Sequence, residues 1–212
     1  MPRITAIEPQ EKNHERVSVF VEGKFALGLF ADVAAFLGLR VGQEMTTERL
    51  TEVAQAETVR RAMESAGKLL GFRARSEREI RDRLTQKGYE PEVVEETITR
   101  LTRLGYLNDA DFASRWVESR GKTRGSRALS HELRQKGVAP DIAAETLAES
   151  RDSHTEYATA RAAAVRKVGE QPPDQSREAQ TRLAAFLQRR GFGWDAIRPV
   201  LRELYQAEIE EE

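Results

Sequence analysis

Two periods of apolar residues divide the chain near residue 31. Apolar residues occupy every second position over 17–21 and again over 25–29, on either side of Gly23. Alternation of period two around a glycine turn predicts a β-hairpin, and residues 3–7 are the expected third strand. From Asp32 onward the pattern becomes helical. Short helices are predicted near 32–38 and 47–55, and a longer helix around 57–70.

The rest of the chain repeats one pattern three times. Each copy has two apolar residues four positions apart, then a basic residue, a glycine and another apolar residue. The copies are Ile80-x3-Leu84-x2-Lys87-Gly88-Tyr89, Leu129-x3-Leu133-x2-Lys136-Gly137-Val138 and Leu183-x3-Leu187-x2-Arg190-Gly191-Phe192. A second apolar series follows each glycine, which makes each copy a three-helix unit.

The predicted fold class is therefore mainly α. It comprises three tandem three-helix (helix-turn-helix-like) repeats in an elongated curved array, preceded by a small N-terminal β-hairpin element. The predicted domains are 1–45 (β element with a short helix), 46–106 (first repeat with a lead-in helix), 107–152 (second repeat) and 153–212 (third repeat with an acidic tail). The extra length of the third copy is assigned to a breaker-rich loop over 169–175.

Helix ends are marked by familiar residues. Each repeat glycine is expected in the left-handed conformation that ends a helix, and Pro91 and Pro140 suit a first helical turn. Ser76-x-x-Glu79 and Ser153-x-x-Glu156 predict capping boxes. Pro199 falls inside the last helix, where a kink or a late start is expected.

Composition excludes several classes of protein. The chain has no cysteine, which rules out disulfides and thiol catalysis, and its net charge is −1. There is no long apolar run and no signal-like start, so the expectation is a cytoplasmic monomer with no membrane contact.

Gly121-Lys122-Thr123 resembles the end of a nucleotide-binding P-loop, but the rest of that motif is missing. Trp116 stands where the loop needs its first glycine, and the preceding residues read as helix rather than strand. The three histidines are scattered, and the acidic residues are interspersed with Lys and Arg. The predictions are no enzymatic activity, no metal and no cofactor.

Positive charge is concentrated in the second repeat. Residues 115–136 carry seven Lys or Arg against Glu118 and Glu132, whereas glutamates dominate after Arg202. Steps of 100° place Arg127, His131 and Arg134 opposite the apolar side of their helix, with Arg124 in line just before. These four residues form the basic stripe.

The equivalent stripe is interrupted in the first repeat, at 75, 78, 82 and 85, and lost in the third, at 178, 181, 185 and 188. Solubility alone does not require such a gradient, so the stripe predicts a surface for an anionic partner. The candidate partner-binding and nucleic-acid-binding residues are Arg124, Arg127, His131, Arg134, Arg120, Lys122, Arg115, Arg75 and Arg78. Trp116 is interpreted as a core residue of its unit, with a stacking platform as the alternative.

The motifs resemble those of the RecX family of recombination regulators. The likeness rests on Ser76-Glu77-Arg78-Glu79-Ile80 through Lys87-Gly88-Tyr89, on Leu104-Gly105-Tyr106-Leu107-Asn108-Asp109 with Asp111-Phe112-Ala113, on the run from Arg120 to Gly137, and on Arg190-Gly191-Phe192. It covers roughly residues 57–206. Pro199 departs from the family pattern.

The resemblance implies a non-enzymatic modulator that binds in the groove of the filament formed by the RecA recombinase on single-stranded DNA. It implies inhibition of RecA ATP hydrolysis, strand exchange and co-protease activity in recombination and the DNA-damage (SOS) response. Any contact with duplex DNA would be weak and non-specific.

Two other classes of protein stay open. A helix-turn-helix transcription regulator would use similar units, although Pro91-Glu92 and Pro140-Asp141 put acidic residues where a DNA-reading helix needs Arg, Asn or Gln. A scaffold that binds only protein is the other alternative.

Overall fold

The computed structural model describes residues 2–205. Glu208, Glu210, Glu211 and Glu212, four of the five glutamates of the predicted acidic tail, lie outside the described residues. The elements are β1 Ile4–Gln10, β2 Asn13–Val21, β3 Lys24–Phe30, α1 Ala31–Phe36, α2 Thr47–Phe72, α3 Glu77–Gln86, α4 Pro91–Arg103, α5 Asp109–Arg120, α6 Ser126–Gln135, α7 Pro140–Ser150, α8 Ser153–Val168, α9 Arg177–Arg189 and α10 Trp194–Tyr205. The mainly helical class and the small β element are confirmed.

The N-terminal strands form an antiparallel sheet in the order β1-β2-β3, so the predicted hairpin and third strand are both present. Glu22 and Gly23, at the turn between β2 and β3, have φ of 50° and 72°. This left-handed pair matches the right-handed twist of the strands that it joins. One face of the sheet packs with α1 and the first half of α2 around Val19, Leu29 and Val53.

Residues 47–72 form one helix, so the prediction of separate helices at 47–55 and 57–70 is wrong. Thr46 caps the helix by accepting from the Arg49 N–H, and no glycine or proline interrupts the chain before Gly67. Glu57 is buried in the middle of α2, where its carboxylate accepts from Arg16 Nη2 at 2.7 Å and from the Phe30 N–H at 2.8 Å. Residue 57, where the longer helix was predicted to start, therefore lies within α2 and is bonded to the sheet.

Helices α2–α4, α5–α7 and α8–α10 are the three predicted three-helix units, each with its own apolar core. Gly88, Gly137 and Gly191 have φ of 83°, 84° and 88°, the left-handed conformation predicted for the repeat glycines. The third helix of each unit begins three residues after its glycine. Gly121-Lys122-Thr123 forms the turn between α5 and α6, so it is not part of a nucleotide-binding loop.

Most of the helix starts follow the predictions. The Ser76 hydroxyl accepts from the Glu79 N–H, as expected of a cap. At α8 the predicted cap is wrong by one residue, since Asp152 accepts from the Thr155 N–H at 2.7 Å and Ser153 is already helical. Helix α10 begins at Trp194 and contains Pro199, so the late start that Pro199 suggested does not occur.

The chain divides into two compact units. One comprises Met1–Arg75 with Ile80–Leu107, and the other comprises Ser76–Glu79 with Asn108–Glu212. The second unit therefore contains the first turn of α3, α5–α10 and the whole basic stripe. The four domain boundaries predicted from the sequence stay a prediction.

Candidate anionic-partner interface

Helix α6 has apolar residues on its buried side and basic residues on its exposed side. Leu129 and Leu133 are fully buried in the core of α5–α7, whereas Arg127, His131 and Arg134 are exposed. This is the arrangement that the helical period predicts. Among the described residues, His131 is the one of these three whose side chain makes a hydrogen bond, with 3.0 Å between its Nε2 and Gln135 Nε2.

Glu132 organises the next part of the surface. Its carboxylate accepts from the Trp116 indole N–H at 2.9 Å and lies 3.8 Å from Arg120 Nε and 3.6 Å from Arg124 Nε. The Arg120 guanidinium also lies over the Trp116 ring, 4.9 Å from its centroid. One carboxylate thus gathers two of the predicted arginines and partly neutralises them.

Trp116 is a core-side residue whose edge reaches the surface. Its ring packs against the α5–α7 core and lies 5.7 Å from the Phe112 ring. Lys136 Nζ lies 5.2 Å from the indole and also donates to Glu79 Oε1 at 2.8 Å. The indole therefore packs in the core and also contacts Arg120 and Lys136. The interpretation of Trp116 as a core residue is favoured over that of a stacking platform.

The turn between α5 and α6 is held by a residue that sequence reasoning missed. Arg151 lies between α7 and α8, and its Nη1 donates to the Gly121 carbonyl at 2.9 Å and to the Arg124 carbonyl at 2.7 Å. Lys122 is exposed in this turn. The path of the backbone that carries Lys122 and Arg124 thus depends on a buried guanidinium.

The start of α6 is also fixed by the third helical unit. The Gly125 N–H donates to the Arg190 carbonyl at 2.9 Å, and the Arg127 N–H donates to the Gly191 carbonyl at 3.1 Å. A side chain on Gly125 would meet the Gly191 carbonyl oxygen at 2.3 Å. Only glycine permits this close approach of two backbones.

The other three predicted partner-binding residues, Arg115, Arg78 and Arg75, lie in different surroundings from one another. Arg115 forms an exposed ion pair with Asp111, 3.0 Å between Nη2 and Oδ2. The Arg78 side chain lies beside Gly137, at the turn after α6. Arg75 belongs to the other compact unit, where its Nε donates to the Leu69 carbonyl at 3.3 Å. The roles of all nine candidates stay predictions.

In the described part of the chain, no cluster of three or more His, Cys, Asp or Glu side chains has the arrangement of a metal site. No helix among the same residues is long and apolar enough to cross a membrane. The chemistry that the second unit does present is a set of guanidinium and ammonium groups on a helical scaffold.

These features define a class of protein, namely tandem three-helix units that follow a small antiparallel sheet and display a basic helix face. Four family models match the chain in succession. They are described as the regulatory protein RecX N-terminal domain at residues 2–46, and the first, second and third three-helix domains of RecX at 62–101, 108–147 and 154–201.

Curated relatives agree with those models over nearly the full length. A regulatory protein RecX of Clostridium botulinum (strain Eklund 17B / Type B) is 30% identical over 211 residues, covering 99% of each chain. The regulatory protein RecX of Bacillus subtilis (strain 168) is 33% identical over 207 residues, covering 96% of this chain and 78% of its own. The chain belongs to the RecX family.

Solved structures share the fold. A crystal structure of regulatory protein RecX aligns with a TM-score of 0.80 at 21% identity, covering 97% of this chain and 99% of that one. The structure of RecX from Lactobacillus salivarius aligns with a TM-score of 0.65 at 22% identity, covering 72% of this chain and 99% of its own.

Sequence reasoning missed Arg151 because an isolated arginine between two helices carries no local signal. It assigned Glu156 to a capping box, although that carboxylate accepts from the N–H and hydroxyl of Ser126, 30 residues away. Trp194 was also missed, although a signal existed. It stands at the repeat position that holds Pro91 and Pro140 in the other two units.

Proposed function

We propose that this RecX-family protein binds the RecA–single-stranded DNA filament and inhibits its ATP hydrolysis, strand exchange and co-protease activity. The observation that carries the proposal is the exposed basic face of α6 in a chain of this family. Lys122, Arg127 and Arg134 make no side-chain hydrogen bond or ion pair with any residue in the described range 2–205. Unpaired cations on a rigid helix suit an anionic polymer, whether phosphate or acidic side chains.

Carboxylates already pair with part of the basic surface. Arg120 and Arg124 share Glu132, and Arg115 pairs with Asp111, so these three cations are already balanced in part. Binding would then depend mostly on the unpaired cations and would fall steeply as salt rises. The chain is expected to turn over no ATP of its own, because Lys122 lies in a helix-to-helix turn.

The test is ATP turnover by preformed RecA filaments on single-stranded DNA. Addition of the purified protein should lower the rate, and the protein alone should hydrolyse no ATP. A Lys122→Ala variant controls for intrinsic hydrolysis, since loss of a background rate in that variant would reveal a nucleotide site. Unchanged turnover at saturating protein would refute the proposal.

A helix-turn-helix transcription regulator is the second candidate, and it makes a different prediction. It requires tight, sequence-selective duplex binding in the absence of RecA. The exposed Glu92 and Asp141 in the first turns of α4 and α7 oppose that reading, because carboxylates there would face the phosphates or base edges of duplex DNA. A protein-only scaffold would contact no nucleic acid and would leave the ATP turnover of preformed RecA filaments unchanged.

A further inference from the structure

Trp194 departs from the pattern of the chain's own repeats. The residue three positions after the repeat glycine is Pro91 in the first unit and Pro140 in the second, and both begin a helix. Proline suits that position because its fixed φ is already helical and its missing N–H is not needed. Tryptophan has neither advantage, so the formation of α10 does not explain its presence.

The Trp194 side chain is also not required by the core. Its exposed fraction is 42%, whereas the other apolar residues of α10 are buried, namely Ala196, Ile197, Val200, Leu201, Leu204 and Tyr205. Indole is among the costliest side chains to leave in water, because it carries a large apolar surface. An exposed indole on an otherwise amphipathic helix is available for a contact outside the chain.

Arg127, a residue of the basic stripe, contacts the segment that leads into Trp194. The guanidinium of Arg127 rests against Gly193, with Nε 3.8 Å and Nη2 3.9 Å from the point that a Cβ on Gly193 would occupy. Gly193 directly precedes Trp194. The bond from the Arg127 N–H to the Gly191 carbonyl holds the two segments together. An unpaired cation therefore lies against the residue that precedes the exposed indole, although the two segments come from different helical units.

This pair of groups suits single-stranded nucleic acid. Proteins bind such strands by stacking bases on aromatic rings while cations follow the phosphates. A duplex keeps its bases stacked and paired, so it offers the indole no open base face.

We propose that Trp194 stacks on an unpaired base of single-stranded DNA whose neighbouring phosphate is bound by Arg127. The proposal rests on the proposed function, since it assigns part of the filament contact to the DNA strand itself. It also gives the third unit, which lacks a basic stripe, a direct part in binding.

Fluorescence can test the contact, because the chain contains two tryptophans. A Trp116→Phe variant leaves Trp194 as the sole indole, and circular dichroism checks its fold. Titration with oligothymidylate should quench the Trp194 emission. An abasic oligonucleotide of the same length, which keeps the phosphates, should quench it far less, and duplex DNA should quench it little. Equal quenching by the abasic strand, or no quenching by oligothymidylate, would overturn the proposal.

Affinity supplies a second measurement in the protein that retains Trp116. Trp194→Ala should weaken binding to oligothymidylate by a factor of roughly 5 to 150, the usual effect of losing one base stack, and Trp194→Phe should restore most of it. Tyr106→Ala is a matched control, since Tyr106 is an exposed aromatic residue of the other compact unit.

The outcomes separate this proposal from the proposed function. If Trp194→Ala binds single-stranded DNA like the unsubstituted protein but no longer inhibits RecA filaments, then the indole contacts protein and the stacking proposal is wrong. If base-dependent quenching is seen while RecA turnover is unaffected by the unsubstituted protein, then stacking stands and the proposed function fails.

Discussion

Arg151 and Glu156 form a buried ion pair, with 2.9 Å between Nη2 and Oε2. The Arg151 side chain is only 2% exposed, and Nη2 contacts the carboxylate without hydrogen-bond geometry. Glu156 also accepts from the N–H and the hydroxyl of Ser126, at 2.9 and 2.8 Å. The pair therefore joins the start of α8 to the start of α6, the helix that carries the basic stripe.

Removal of one partner of this ion pair should destabilise the fold far more than removal of both. Arg151→Met leaves the largely buried Glu156 charge without its ion partner, which typically costs about 3–5 kcal/mol. Arg151→Met combined with Glu156→Gln leaves no unpaired charge, and the amide can still accept from Ser126. We expect the double variant to recover much of the lost stability. Urea unfolding of Arg151→Met, Glu156→Gln, the double variant and the parent chain measures this coupling, and additive losses would contradict it.

The folded double variant should also bind filaments with a smaller salt dependence. Arg151 is buried and cannot reach a phosphate, yet it holds the Gly121 and Arg124 carbonyls that position the α5–α6 turn. If the turn loosens, the slope of log affinity against log salt should become shallower. A variant that is merely less stable would lose active protein with no change of slope, and that result would exclude a positioning role.

Charge reversal tests the basic stripe directly. Changing Arg124, Arg127 and Arg134 together to Glu should weaken filament binding and inhibition by at least roughly tenfold. If all three face phosphates, the salt slope for a single strand should fall by about two. All three side chains lie away from the Leu129 and Leu133 side of the helix, so each change should cost well under about 1 kcal/mol of stability.

Thr181→Glu with Gln188→Glu is the matched control for that variant. It adds negative charge at equivalent positions of α9, where no basic stripe exists, and should have a much smaller effect. Binding measured at low and moderate salt, with circular dichroism to confirm the fold, separates the two variants. If both lose affinity equally, the basic stripe is only a solvated face.

Two repeat glycines should differ in their tolerance of alanine. Gly88 and Gly191 both have left-handed φ, so either change costs about 1–2 kcal/mol of backbone strain. A Cβ on Gly191 would also lie 2.3 Å from the Ala128 Cβ, whereas one on Gly88 meets nothing within 4 Å. Gly191→Ala should therefore lower the free energy of unfolding by a further ~1–3 kcal/mol, because the added Cβ overpacks the contact. Equal losses in chemical denaturation would show that the contact with α6 relaxes easily.

Acid should selectively weaken the cap of α8. The hydrogen bond from the Thr155 backbone N–H, the largest of several effects, lowers the pKa of Asp152 below its ordinary value near 3.8, and the His154 side chain lowers it further. Because the folded pKa is depressed, the stabilisation is complete above the unfolded value and is lost as pH falls through the folded value.

Asp152→Asn isolates this effect, since asparagine also caps helices but does not titrate. The parent chain should exceed the variant in unfolding free energy at neutral pH, and the difference should shrink as pH falls below about 3.8 and passes through the folded pKa. Urea unfolding of both proteins over that range is the measurement. A difference that does not change with pH would mean that the Asp152 charge contributes nothing to the cap.

The sequence by itself determined the elements whose causes lie within a few residues. Alternating apolar residues around Gly23 specify the hairpin, and glycines after apolar pairs specify where helices end, because these preferences come from local backbone sterics and burial of one face. The outward direction of Arg127 and Arg134 follows likewise from the helical period once Leu129 and Leu133 are buried.

Only the tertiary structure decided how those cations are supported. The burial of Arg151, the bond between Glu156 and Ser126, and the position of Arg127 beside Gly193 join residues 27 to 66 positions apart in the chain. Glu57 shows the same limit, since it lies in the middle of α2, where a helix start was predicted, and its partners in the sheet are 41 and 27 residues away in the chain. Such contacts depend on how separate helices pack, and no local pattern encodes that packing.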